Sequence, residues 1–317
     1  MDRTLRVATS YSLAFSADSQ TLATLGRDAA IWNLRSRKKV VRAHPFAHPS
    51  SACFSPSGDQ LAVKSTSGEI ALISTRDGTV IRNFGNSADG EGSNIQFSAC
   101  GEFVIDGSWS GRVTVRHARS GNVEFSAEFP GDMITRVHSD ASGATWVLEH
   151  HPKATSHTAP PAPCYFSVWR WPFARGTLTH FAARVPFASD SALAPDTTRL
   201  AVVHGAPPRE ISVFDMVSGT RSASCTVTCG GTGTALAWAP RADLLGSVQD
   251  GKAVIYCAET LKPYRDYALS YASDIGFSPD GRLVAIGSWK CGVVLPLRSE
   301  VTPNPALHRT RTSGAGR

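Results

Sequence analysis

Apolar residues along this chain come in short runs, separated by clusters of Ser, Pro, Asp and Gly, and the same order of run and cluster returns seven times. The first run of each unit ends at Phe15, Phe54, Phe97, Val137, Leu193, Trp238 or Phe277, at intervals of 39, 43, 40, 56, 45 and 39 residues. The clusters that follow are "SADS", "SPSG", "SACG", "HSDASG", "APDT", "APRAD" and "SPDG". Each has the chemistry of a tight turn: Pro presets one φ, an Asp or Ser side chain caps the backbone, and Gly accepts a positive φ. Asp18, Asp59, Asp196 and Asp280 recur at matching turn places, so they read as turn caps and not as paired acids and bases.

A second apolar run follows each turn, as in "QTLATLG", "GEFVIDG" and "GRLVAIG", and a third follows that, as in "EIALIST" and "EISVFDM". A more polar fourth run closes most units, as in "TVIRNFG" and "NVEFSAEF". Four short strands in roughly 40 residues, repeated around a ring, predict an all-β, seven-bladed β-propeller of four-stranded antiparallel blades. The last unit lacks its fourth strand, whereas the chain starts with an orphan strand, "RTLRVAT" (3–9). Pairing that orphan with the last blade closes the ring and removes the exposed edges. The predicted organisation is a propeller over 1–300, followed by a tail over 301–317 without periodicity, rich in Pro, Gly, Thr and Arg, which predicts disorder.

The units resemble WD40 repeats, whose third strand ends in Trp-Asp. "IWNLRS" keeps Trp32, "VFDMVSG" keeps Asp215 with Phe214 before it, and "WRWPFARG" places Trp171 there. The segment "GSWSGRVTVRHARSG" (107–121) follows such a hairpin position for position, with Arg116 and His117 in place of Trp-Asp. The resemblance covers about residues 4–297. Typical units of that family carry a buried His–Asp–Ser/Thr–Trp network. The sequence supplies that network in no blade, which predicts blades held mainly by apolar packing.

Composition narrows the class. Hydrophobic residues make up 42% of the 317 and charged ones 18%, a folded, strand-rich balance. No apolar run reaches the length of a membrane span, and the N-terminus lacks the pattern of a secretory signal. Cys53, Cys100, Cys164, Cys225, Cys229, Cys257 and Cys291 are scattered and odd in number, which predicts reduced thiols in the cytoplasm. Half of the +6 net charge sits in 298–317, where four arginines face one glutamate. With no basic stripe interleaved with aromatics, this argues against nucleic acid as the main partner.

Candidate chemistry is sparse. "EHHPKATSHTAPPAPC" (149–164) holds Glu149, His150, His151, His157 and Cys164, all metal-ligand types, but their spacing fits no tight ligand pair. The Pro-rich stretch predicts an exposed loop. Cys225 and Cys229 have no second Cys/His pair nearby, and "GGTG" (230–233) lacks the Lys-Ser/Thr of a phosphate loop. No cofactor or metal is expected.

What remains is a surface. In such a ring the turns between second and third strands share one face with the linkers between blades. That face gathers Trp109 and Trp289 at equivalent turns, together with Arg27, Arg112, His151, Arg209 and Lys290. Trp and Arg are frequent binding hot spots. The expected function is therefore a non-catalytic scaffold presenting this face to a partner protein, as a monomer or within a complex. The alternatives are a propeller enzyme of lactonase or lyase type with a central-channel site, and a nucleic-acid-associated propeller. The first strands "YSLAF", "SACF", "NIQF", "TALAW" and "DIGF" are nearly free of His, Asp and Glu, which argues against the channel enzyme.

Overall fold

The computed structural model describes residues 4–86, 92–140, 142–154, 162–171, 179–228 and 234–297. These form 28 strands, β1 to β28 in chain order, grouped in seven four-stranded antiparallel sheets. The inner strands are β2 (Ser12–Phe15), β6 (Pro49–Phe54), β10 (Gly92–Phe97), β14 (Asp132–Ser139), β18 (Ala188–Leu193), β22 (Leu236–Trp238) and β26 (Ala272–Phe277). Each is followed outward by three strands of the same sheet, except in the last blade. There the order is β26, β27 (Leu283–Ser288), β28 (Gly292–Pro296) and then β1 (Leu5–Val7). Leu5 pairs with Val294 and Val7 with Gly292, so the N-terminal strand closes the ring as its sequence predicts. The 301–317 tail lies outside the described residues.

The turns carry out the chemistry their sequences announce. Ser16, Ser55, Ser98 and Ser278 each accept, at Oγ, the amide that opens the second strand. Their hydroxyls in turn bond Asp18, Asp59 and Asp280 where those are present. The residue at the end of each turn has a positive φ: Ser19, Gly58, Gly101, Gly143, Thr197, Ala242 and Gly281. Glycine fills that place where the sequence shows it, and Ser, Thr and Ala bear the strain elsewhere.

Apolar burial is divided among the blade junctions. Among the described residues there are seven core clusters, each joining neighbouring blades. Ile31 meets Leu61 in one, Trp146 meets Ile105 in another, and Val7, Val294 and Leu22 join the last blade to the first. The second strands are the most thoroughly buried because both their faces are covered, so they read as continuous apolar runs.

Apolar packing is not the whole of it. In the first blade Trp32 Nε1 donates to Thr24 Oγ1 at 3.0 Å. In the fourth, on β15 (Thr145–Pro152) and β16 (Cys164–Arg170), His150 bonds Ser167 Oγ at 2.7 Å and lies 3.2 Å from Asp132. Trp169 Nε1 donates to the same Ser167 oxygen at 3.1 Å. In the fifth blade His204 bonds Ser212 at 2.9 Å. The expectation of blades without polar networks is thus corrected. The partners come from strand positions that a fixed repeat motif does not mark.

A central cavity and an aromatic face

All seven inner strands line a central cavity of about 500 Å³, contributing among others Leu13, Ser51, Asn94, Arg136, Asp190, Leu236 and Asp274. The expectation of a channel nearly free of ionisable groups is corrected here. It rested on five of the inner strands, one of which, "DIGF", carries Asp274, whereas β14 and β18 were outside the five and bring Arg136, His138 and Asp190 to the wall. Alternation places Arg136 and His138, two residues apart, on the same side of β14.

These groups form one network. Arg136 Nε donates to Asp190 Oδ1 at 2.6 Å and Nη1 to the Thr135 carbonyl at 3.1 Å. Asp190 Oδ2 accepts the Leu236 amide at 2.7 Å. Behind the wall, on β15, Glu149 accepts hydrogen bonds from Thr135 and His151, each 2.7 Å long, and one from Ser191. His138 Nε2 meets the Ser191 hydroxyl at 2.9 Å.

Electrostatics follow from that packing. Burial alone would raise Glu149, but His151, Arg136 and Ser191 outweigh it and hold the carboxyl at about 2. Burial would lower His151, yet its hydrogen bonds to Cys164 and Glu149 lift it to about 9. Burial pushes His138 down to about 4 against the opposing pull of Glu149, with Arg136 adding to the lowering, so its ring is neutral at pH 7. Asp274 accepts the Leu13 and Ile275 amides at 2.7 and 2.8 Å, and burial still pushes it up to about 7.

The 149–164 stretch is therefore not a loop throughout. Glu149 and His150 are fully buried on β15, His151 is mostly covered beside Glu149, and Cys164 begins β16. His157 lies outside the described residues, as do Cys229 and the "GGTG" segment. Among the described residues no three His, Cys, Asp or Glu side chains are grouped to hold a metal ion. The described cysteines are free thiols.

Trp109, Trp289, Arg27 and Lys290 lie on turns between second and third strands, and Arg112 and Arg209 open third strands beside such turns. Trp109 lies between β11 (Phe103–Ser108) and β12 (Arg112–His117), 43% exposed, and Trp289 between β27 and β28, 53% exposed. Trp289 also packs against Tyr11, with the rings tilted by 30° and their centres 4.9 Å apart, and Tyr11 lines the cavity, so the aromatic face adjoins the cavity rim. Lys290 lies over the Tyr271 ring at 4.3 Å, and Arg209 over Phe187 at 5.6 Å. Both rings are on linkers between blades and half exposed. Arg27 is exposed, and Arg112 is engaged with Glu128 at 2.7 Å. His151 does not belong to this face, because its partner Glu149 draws it inward. Sequence reasoning missed Phe187 and Tyr271, which the positions of the linkers could have supplied.

No family model matches the chain, and no curated protein matches it in sequence. Among the described residues no helix is long and apolar enough to cross a membrane. Solved structures do match: a chain of hydrazine synthase from Kuenenia stuttgartiensis is similar with a TM-score of 0.72. The match covers 92% of this chain and 96% of that one at 12% identity, a similarity of fold: the chain is a seven-bladed β-propeller.

Proposed function

We propose that this propeller is a non-catalytic interaction module that binds a partner protein through the face carrying Trp109, Phe187, Tyr271 and Trp289. One observation carries the reading. Every large aromatic side chain that is exposed among the described residues lies on this face, whereas the exposed Val40, Val80, Ile81, Val123 and Val217 lie on outer strands and the opposite turns. Half-exposed aromatics cost apolar hydration without contributing a full core, and they are the residues that anchor interfaces. Lys290 and Arg209, stacked over two of the rings, add cationic donors around the apolar centre.

The test is affinity capture from the native cell with the intact chain and with Trp109→Ala/Tyr271→Ala/Trp289→Ala, followed by mass spectrometry. The module reading expects one protein recovered reproducibly by the intact chain and lost by the variant, with both melting alike. Recovery of the same proteins by both would remove it.

A further inference from the structure

Two groups on the cavity wall keep hydrogen-bonding capacity that the described protein does not use. Arg136 spends Nε and one Nη1 proton on Asp190 and Thr135. Its Nη2 has no partner among the described residues, and the side chain is 35% exposed on the wall of the cavity. The second group is His138. Ser191 has one hydroxyl proton and gives it to Glu149, so towards His138 it can only accept. That fixes the proton of the neutral ring on Nε2 and leaves a bare lone pair on Nδ1. Nδ1 has no partner among the described residues either, and it is not buried away from solvent.

The wall therefore offers a cationic fork and a neutral acceptor side by side. Residues two apart on one face of a strand are neighbours, so one small ligand in the cavity can meet both. We propose that the central cavity is a binding site for a small hydroxycarboxylate, its carboxylate held by Arg136 and its hydroxyl donating to His138 Nδ1. The site goes beyond the partner-face reading, since neither residue lies on the turns and linkers that build that face.

Charge argues for this class over its neighbours. Asp190 faces Arg136, and Glu149 faces His151, so the wall is close to neutral before a ligand enters. Asp274, held towards its neutral acid by burial, adds little negative charge below pH 7. A dianionic phosphate would bring two charges to one free guanidinium edge among these carboxylates. An ammonium in place of the hydroxyl would set a second cation beside Arg136.

Calorimetric or ligand-observed NMR titration of matched acids tests the proposal on the intact chain, with lactate against propionate and malate against succinate. Each hydroxy acid is expected to bind about tenfold tighter than its partner, the scale of one added hydrogen bond. His138→Phe is expected to erase that difference while the simple acids bind as before. Arg136→Lys, which keeps the charge but loses the fork, is expected to weaken all four acids by about tenfold. Melting curves without ligand establish that each variant is folded. Equal binding within both pairs, a preference that survives His138→Phe, or no binding of any acid up to about 20 mM, would each overturn the assignment.

Discussion

Two junctions of this ring bury a cation against a carboxylate, and they are built differently. Between the second and third blades, Lys64 Nζ on β7 (Gln60–Ser65) donates to Asp106 at 3.2 Å and to the Gly107 carbonyl at 2.8 Å. Both side chains are almost wholly covered. Between the fourth and fifth blades, Arg136 meets Asp190 at 2.6 Å, but it stays one-third exposed on a cavity, beside a histidine with a spare lone pair. The first junction is a closed staple whose members have no further work. The second has hydrogen-bonding capacity left over, and that surplus marks a site. A buried ion pair alone says little, since it often breaks even against apolar packing.

The largest expected effect comes from a third kind of junction, where the ring is sealed by backbone. Deleting residues 1–10 removes β1, the Val7 contribution to the last core cluster and the Ser10 bridge to Ser288. A loss of about 5 kcal/mol or more in urea unfolding is expected, because the last blade is left with an open edge. Removing 301–317 should leave the transition where it was.

Next comes the staple itself. Lys64→Met leaves Asp106 buried without its cation and should cost about 3–5 kcal/mol, whereas Lys64→Met with Asp106→Leu should regain most of it. Arg136→Gln should cost less, about 2 kcal/mol, since water in the cavity can reach the exposed side of Asp190's surroundings. Equal losses at both junctions would erase the distinction between staple and site.

Stability against pH sharpens the contrast further. His151 is lifted to about 9 in the fold by burial-opposing hydrogen bonds to Cys164 and Glu149. A raised cation contributes stability fully below its unfolded value near 6.5, and that contribution is lost as pH rises through 9. Unfolding at pH 7 and pH 9 should differ by about 1–2 kcal/mol, with the protein weaker at pH 9. Glu149→Gln should flatten that slope, and Lys64→Met should leave it intact.

Much of this was legible in the sequence because it is local. A turn such as "SPDG" states its own geometry, and Phe15, Phe54, Phe97, Leu193, Trp238 and Phe277 each end an inner strand, as predicted. Val137 falls two residues short of the end of β14, where the longer turn let the strand run on. The cavity network was not legible for a physical reason. Glu149 and His150 follow the apolar run "TWVL", so the change to polar residues looks like the end of a strand. In the ring, Ser191 of the next blade and Thr135 and Arg136 of the same blade satisfy Glu149, and the strand continues to Pro152. Burial created by a neighbouring blade leaves no trace in the local pattern.

The proposed interaction face is tested most directly by measuring partner affinity and unfolding on the same single variants, Trp109→Ala, Tyr271→Ala and Trp289→Ala. Each side chain is about half exposed, so unfolding should shift by about 1 kcal/mol or less. Affinity for the partner captured by the intact chain should fall by about 2 kcal/mol or more for each, the loss expected of interface anchors. Unchanged affinity in three variants that fold normally would contradict the account.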